Sequence, residues 1–514
     1  MRLSARSLLG TLLAVAAVRA QFVPLDGVVN NASYLPACAP NGGIAPGSLF
    51  AVFGSDIGPA SLAQVSAFPL QPSLDGVSVR VAMNGVTYDA WPLYANATQI
   101  GAILPSAVPP GNGALTVTYR GRQAAPVPIR VRSGAPGVFT ANQRGTGQAI
   151  AENLRPGQLA TIWATGIGSV KGDEAAGPLP ADQPGLDVRV WVGNRLARVV
   201  YRGRSGCCAG IDQIVFETPG GIEGCQVPLS VEAGGVISNF GSIAIACTSA
   251  SRPASVSVNR FGLIFFLDGF GSVLLPTALD DYVRLAFFQR GRVDGNLEAP
   301  LSAFEPNAEM PVNSCTVRYG TEFPPQPTQP GQAALDAGPE LRVSGPGGTF
   351  RLVQNLDNSA SYQDPQRVLI PPGRYTIGNG TGGRDVGPFS FEADAIAIRL
   401  SSRPEKIVRG EDLTVTWDYQ GPPDQLLTIF GSTNSCGRGL FSFSCLARAA
   451  DRRFVVPSRI LSLLPTTTSF FGLSNGALNI STTSPGGLRR FTAPGLDLGL
   501  FMHLSISAIR PTYE

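Results

Sequence analysis

The sequence predicts an all-β protein assembled from tandem β-sandwiches, and three observations carry that prediction. Short apolar runs alternate with polar residues at period two, as in Val188-Arg-Val-Trp-Val192, where the valines face one side and Arg189 and Trp191 the other. Turn formers separate these runs: 61 glycines and 43 prolines in 514 residues exceed average usage but stay below the level that marks disorder. A whole module then recurs along the chain.

Ile44-Ala-Pro-Gly-Ser-Leu-Phe-Ala-Val-Phe-Gly54 matches Leu154-Arg-Pro-Gly-Gln-Leu-Ala-Thr-Ile-Trp-Ala164, and the match continues to Gly58 and Gly168. Gly76-Val-Ser-Val-Arg-Val81 pairs with Gly185-Leu-Asp-Val-Arg-Val190. Thr98-Gln-Ile-Gly-Ala-Ile-Leu-Pro105 then pairs with Asp212-Gln-Ile-Val-Phe-Glu-Thr-Pro219. The offset between copies lengthens before this last pair, so the second copy carries an insertion, Gly203-Arg-Ser-Gly-Cys-Cys-Ala-Gly210. About seven short strands in roughly 100 residues per copy read as an immunoglobulin-like sandwich. Trp163 aligns with Phe53, which places both in their cores.

The organisation follows in order. Residues 1–20 read as a secretory leader: Arg2 and Arg6 precede a short apolar run, and Val18-Arg-Ala20 offers a cleavage site before Gln21. The run is too short to span a bilayer, and no later stretch is long enough, so the expectation is a secreted or cell-surface protein with no transmembrane segment. Residues 21–136 form the first module and 137–248 the second, with the cysteine loop. A linker at 248–256 leads to a β-rich domain over 257–392, which holds the Pro-rich stretch Phe323-Pro-Pro-Gln-Pro-Thr-Gln-Pro330. Residues 393–514 form a C-terminal β-rich domain, with a short helix at 457–464 from the spacing of Ile460, Leu461 and Leu464.

Charge and cysteine usage exclude several function classes. The formal net charge is +3, but removing Arg2, Arg6 and Arg19 with the leader leaves acidic and basic residues equal in number. With no basic cluster to meet a phosphate backbone, nucleic acid is excluded as a partner. Eight cysteines in an exported chain point to disulfides, and the single histidine and the lack of paired CxxC motifs argue against a zinc site. No metal or other cofactor is expected. Adjacent cysteines seldom bond to each other because the ring is strained, so one of Cys207 and Cys208 is expected to pair with Cys225 and the other with Cys247. Cys436 and Cys445 flank a hairpin-like segment and are expected to pair, leaving Cys38 and Cys315 to bridge the first module to the third region or to stay free.

Asn31-Ala-Ser-Tyr34, Ala45-Pro-Gly47, Gln99-Ile100, Ala135-Pro-Gly-Val-Phe139 and Gln213-Ile214 resemble an uncharacterised secreted domain family of soil acidobacteria of the Solibacter type. The resemblance covers about residues 30–247 and implies two halves of the IPT/TIG subclass of immunoglobulin-like folds, in a bacterial protein. That family has no established activity, so no catalytic residue is carried over. The domain stands near the N-terminus here, whereas the family usually carries it at the C-terminus.

Each catalytic pattern in the chain competes with a plain structural role. Gly472-Leu-Ser-Asn-Gly476 fits the nucleophile-elbow pattern, and Asp497 and His503 follow in hydrolase order. Catalysis would need His503 to deprotonate Ser474 and Asp497 to orient the imidazole. The Gly/Ser-rich β surroundings lack the strand–turn–helix that an elbow requires, which favours a turn serine and a strand histidine. Asp268, Asp280 and Asp281 read as solvated turn residues over acid–base groups or calcium ligands. Trp191 serves either a module interface or, with Arg189 and Arg204, a binding surface near the rigid cysteine loop. The sequence therefore predicts a non-catalytic binding or structural protein whose partner is a polysaccharide or a surface protein. The competing reading is a secreted hydrolase of polysaccharide or ester with its site in 257–514.

Overall fold

The repeat reappears as topology. In the computed structural model the first module orders its strands Leu25–Asn30, Leu49–Gly54, Gln99–Ile103, Val86–Ala95, Val77–Met83, Gly111–Tyr119 and Val127–Val131. The second orders them Gly137–Val138, Leu159–Thr165, Asp212–Glu217, Arg195–Arg204, Val188–Val192, Gly224–Ala233 and Gly241–Ile245, closed by Gln148–Leu154. Each strand of the first module thus has its counterpart in the same place. The structure describes residues 25–179, 185–248, 258–271, 281–293, 309–320, 333–354, 361–365, 370–436, 439–467, 469–470, 473–483 and 487–514. The leader, the linker beyond Thr248, the Pro-rich stretch and Asp280 lie outside them.

The alternation read from the sequence sets the cores. Val77, Val79 and Val81 are fully buried against Phe50, Val52 and Ile100. Val188, Val190 and Val192 are buried against Ile162, Ile214 and Phe216. Each such side chain stabilises its sandwich by roughly 1.5–3 kcal/mol. Val86–Ala95 pairs with Val77–Met83 through its first half and with Gln99–Ile103 through its second, past a register shift between Pro92 and Tyr94. That shift lets one strand pass from one sheet of the sandwich to the other. Trp163 corrects the expectation of a core residue: it is 43% exposed, because Ala160, Ile162 and Ala164 occupy the inward positions of its strand.

One long sheet crosses the expected boundary between 257–392 and 393–514. Its order is Ser314–Gly320, Gly439–Arg448, Leu426–Cys436, Gly476–Thr483, Leu498–Ile509, Val258–Gly271 and Asp281–Val293, continuing to Ser361–Gln363, Gly348–Gln354, Glu340–Gly345, Gly373–Gly378 and Ser390–Ala395. Val258–Gly271 lies parallel to Leu498–Ile509, and Ser314–Gly320 lies antiparallel to Gly439–Arg448. The boundary therefore divides neither the sheet nor its two cores, since Phe491 and Phe501 join the first core and Cys315 the second. One core gathers Phe288, Tyr362, Tyr375 and Phe501. The other gathers Trp417, Phe443, Ile480 and Tyr513, and it also takes in Leu35 and Ala39 of the first module and Ile237 and Phe240 of the second. The short helix is Ser458–Leu461, with Ile460 and Leu461 buried beneath it.

Candidate functional site

The hydrolase triad does not assemble. Ser474 Oγ donates to the Pro511 carbonyl at 2.7 Å and accepts from the Gly476 amide at 3.0 Å, so it fastens a turn. Asp497 accepts from the amides of Asn259 and Arg260 at 2.8 and 2.9 Å. His503 sits beside Phe266 in the parallel ladder, and its Nε2 lies 2.7 Å from the Asp268 carboxylate. Extended backbone of about 3.3 Å per residue between His503 and Pro511 separates the serine from the imidazole by more than ~20 Å. Asp268 is likewise corrected from a solvated turn residue: it is buried within a strand and paired with Arg284 as well as His503.

The disulfides differ from the expected pairs for reasons of register. Cys207 bonds Cys208, and Cys225 bonds Cys247. Strand Asp212–Glu217 runs the length of the sandwich, about 20 Å, and so holds the vicinal pair and Cys225 at opposite ends. Gly224 lies opposite Ile245, which brings Cys225 and Cys247 together. Cys436 and Cys445 do share a hairpin, but Cys436 faces Gly439 and Cys445 faces Ile429. On its other side Cys445 lies directly opposite Cys315, and these two bond. Cys38 is disulfide-bonded too.

The C-terminal end of the cysteine loop packs between the modules, while Gly206, Cys207 and Cys208 stay exposed. Arg204, expected there as a surface residue, is 2% exposed and forms ion pairs with Asp212 and Glu174. Thr165 Oγ1 donates to the Gly210 carbonyl at 2.7 Å and accepts from the Leu49 amide at 2.8 Å, tying the loop to the first module. Ala209 and Ile211 pack with Leu49, Leu70 and Ile103 across the same joint. Burial works against the Arg204 charge, and the carboxylates of Asp212 and Glu174 more than restore it. Gly47 has φ of +73°, and a Cβ there would collide with the Arg204 guanidinium. Gly47→Ala is expected to lower stability by about 2–4 kcal/mol, combining left-handed backbone strain with overpacking. Thermal unfolding would check this; an unchanged midpoint would contradict the packed joint.

Trp191 belongs to the second joint. Its face lies under Arg459, with the guanidinium carbon 4.3 Å from the ring centre, and its Nε1 donates to Glu232 at 3.1 Å. Arg459 also donates to Asn194 at 2.8 Å, and Asn194 donates to the Asn313 carbonyl at 2.6 Å. Burial lowers the Arg459 pKa, partly offset by Glu232 and Asp412. Arg189 stays exposed, 3.7 Å from both Asp187 and Glu232.

A cleft of about 360 Å³ lies where the two modules meet the C-terminal half. Asn30 builds its first wall: Oδ1 accepts from the Ala32 and Ser33 amides at 2.9 and 3.0 Å, while Nδ2 donates to Ala135 and Thr165. That turn sets Tyr34 at φ of +53°, an uncommon conformation for a bulky residue and one that clusters at functional positions. Burial raises the Tyr34 pKa, so its hydroxyl stays a neutral donor and acceptor. The second wall is the 140–147 loop, which carries Arg144. Buried Asn239 holds it, exchanging hydrogen bonds with Val138 and donating to the Gly145 carbonyl at 2.8 Å. The third wall is the edge strand Ser314–Gly320, with Arg318 and Tyr319, backed by Phe441 whose ring centre is 4.7 Å from that of Tyr319. Asn41 ties the first wall to the second module through Nδ2, which donates to the Ile237 carbonyl at 2.8 Å, while its buried Oδ1 has no partner among the described residues. Among the described residues no carboxylate lines the cleft.

Sequence reasoning did not single out this site. Only Tyr34 carried a signal, as the end of Asn31-Ala-Ser-Tyr34; Arg144 and Arg318 sit in unremarkable polar contexts. Among the described residues no group of three or more His, Cys, Asp or Glu is placed to hold a metal ion, and no helix is long and apolar enough to cross a membrane.

Comparisons with known proteins give no match to a family model and none to a curated protein. Among solved structures the chain is similar to domains 5–6 of the S-layer protein SbsC, at 13% identity, 45% of this chain, 98% of that chain and a TM-score of 0.17. It is also similar to domains 4–9 of that protein, at 11% identity, with 93% and 66% of the two chains covered and a TM-score of 0.14. The N-terminal four immunoglobulin domains of Dscam1 isoform 8.4 are similar at 9% identity, with 92% and 96% covered and a TM-score of 0.11.

Proposed function

We propose that this protein is an exported, non-catalytic binding protein that holds a carbohydrate in the cleft at the meeting point of its three segments. The carrying observation is the lining itself: the rings of Tyr34 and Tyr319, the latter backed by buried Phe441, stand beside the Asn41 amide and the Ser33 hydroxyl. A pyranose offers an apolar C–H face to stack on aromatic rings and a rim of hydroxyls for such amides. The volume falls within the range of small-ligand sites, roughly 300–1,000 Å³. The leader-like residues 1–20 and the disulfides support export. The motif resemblance to the secreted acidobacterial domain supports the same compartment.

The reading is tested on a broad glycan array with the intact chain and with Tyr319→Ala. Retention of one glycan class, without turnover, and a loss of about tenfold in the variant are expected. No retained glycan, or release of hydrolysed product, would overturn it.

A further inference from the structure

We infer that the cleft selects an acidic carbohydrate, a uronic-acid oligosaccharide whose carboxylate is held by Arg144 and Arg318. The inference rests on the carbohydrate reading above and adds the charge of the ligand. Two arginines line the site from opposite segments, one on the 140–147 loop of the second module and one on the edge strand of the large sheet. Neither forms an ion pair with any described residue, whereas Arg80, Arg198, Arg342 and Arg374 do. Without its leader the chain carries equal acidic and basic residues, so two arginines with no carboxylate between them form a local positive site and not part of a basic surface.

The backbone around Arg144 is fixed and not free to drift. The Arg144 amide donates to Asn142 Oδ1 at 3.0 Å, and Gly145 packs so closely on the Ser33 carbonyl that a Cβ there would overlap it. Arg318 is presented by a strand stapled at Cys315 to Cys445 and paired at Arg318 with Ser442. Both side chains are exposed, and a guanidinium group meets a carboxylate with paired N–H donors, a geometry stronger than neutral hydrogen bonds. The aromatic faces of Tyr34 and Tyr319 then discriminate a sugar acid from an acidic peptide, because a pyranose ring has a flat C–H face to stack and an aspartate or glutamate side chain has none. Asn41 Oδ1, which has no partner among the described residues, remains as an acceptor for a sugar hydroxyl.

Isothermal titration of the full chain tests this with four probes: tetragalacturonate, its methyl ester, cellotetraose and a tetraglutamate peptide. The free acid is expected to bind at least about tenfold more tightly than its ester, with the difference shrinking in high salt. Arg144→Gln and Arg318→Gln are each expected to weaken the acid about tenfold and leave the ester unchanged. Equal binding of acid, ester and cellotetraose would overturn the acidic specificity while leaving the carbohydrate reading intact. Tightest binding of the peptide, or binding of no probe, would overturn both.

Discussion

Replacing Arg284 by methionine is expected to destabilise the C-terminal half by about 3–5 kcal/mol, the cost of leaving a buried charge without its partner. Arg284, Phe266 and His503 stand side by side on three adjacent strands, and Asp268 lies two residues beyond Phe266 on the same face. Asp268 pairs with both the guanidinium and the imidazole, and all three polar groups are at most 2% exposed. Arg284 also lies over the Phe266 ring, its guanidinium carbon 5.4 Å from the centre. The cluster therefore ends the apolar stripe of Ile264, Phe266, Ala286, Phe288 and Phe501 with buried polar groups joined through Asp268. A triple change of Arg284→Met, Asp268→Leu and His503→Phe is expected to recover most of the loss, because apolar side chains of similar volume replace a buried ion cluster at little cost. Urea unfolding of both variants decides between electrostatics and packing. A triple variant as weak as the single one would place the loss in packing.

Arg204→Met is expected to cost a similar ~3–5 kcal/mol at neutral pH and to loosen the joint between the two modules. The arginine sits between Asp212 and Glu174, and it donates to the Gly168 carbonyl at 3.0 Å. Burial pushes the Asp212 carboxyl up, against the pull of Arg204 and of the Ile167 and Gly166 amides. Removing Arg204 deletes the largest part of that pull and raises Asp212 further. A carboxyl with a raised value in the folded state keeps protons that the unfolded chain has already released. Stability then falls as pH rises from about 4, the ordinary carboxylate value, through the folded value. The deficit of Arg204→Met relative to the parent should therefore be smaller at about pH 4.5 than at about pH 7.5, read from unfolding midpoints at both. A deficit that grows on acidification would contradict this account of the joint.

Much of the fold was legible in the sequence, because a sandwich strand writes its burial as alternation. Val188, Val190 and Val192 announced a core face, and the repeat predicted two modules with corresponding strands. The short helix was legible from Ile460, Leu461 and Leu464. The repeat rightly equated Phe53 with Trp163 but misled on burial: both take the outward position of their strand, beside inward Phe50 and Val52 in one module and Ile162 and Ala164 in the other, so neither lies in its sandwich core. Phe53 has Tyr34 near it, ring centres 6.3 Å apart, while Trp163 keeps 43% of its surface. The strand's own alternation of Ala160, Ile162 and Ala164 carried the better signal.

Long-range pairing was not legible. Nothing local in Phe261-Gly-Leu-Ile-Phe-Phe-Leu267 identifies Leu498–Ile509 as its parallel neighbour, since both are apolar runs that many partners would suit. The disulfides failed for the same reason: Cys445 finds Cys315 only once the strand order is known. Charges at inward positions were the overlooked clue. Asp268 follows Ile264 and Phe266 at period two, and His503 follows Phe501, which marks both as buried groups in need of partners. The cleft was hidden because its walls come from three distant segments and its residues, taken singly, look like ordinary loop positions.

Hydrogen exchange of the intact protein with and without tetragalacturonate tests the central claim most directly, since it reports where the ligand sits and not only whether it binds. Slowed exchange is expected together in three segments, around Tyr34, around Arg144 and along Ser314–Gly320. Protection confined to one of them, or falling instead on the exposed face around Trp163, would contradict a ligand site built jointly by the two modules and the C-terminal half.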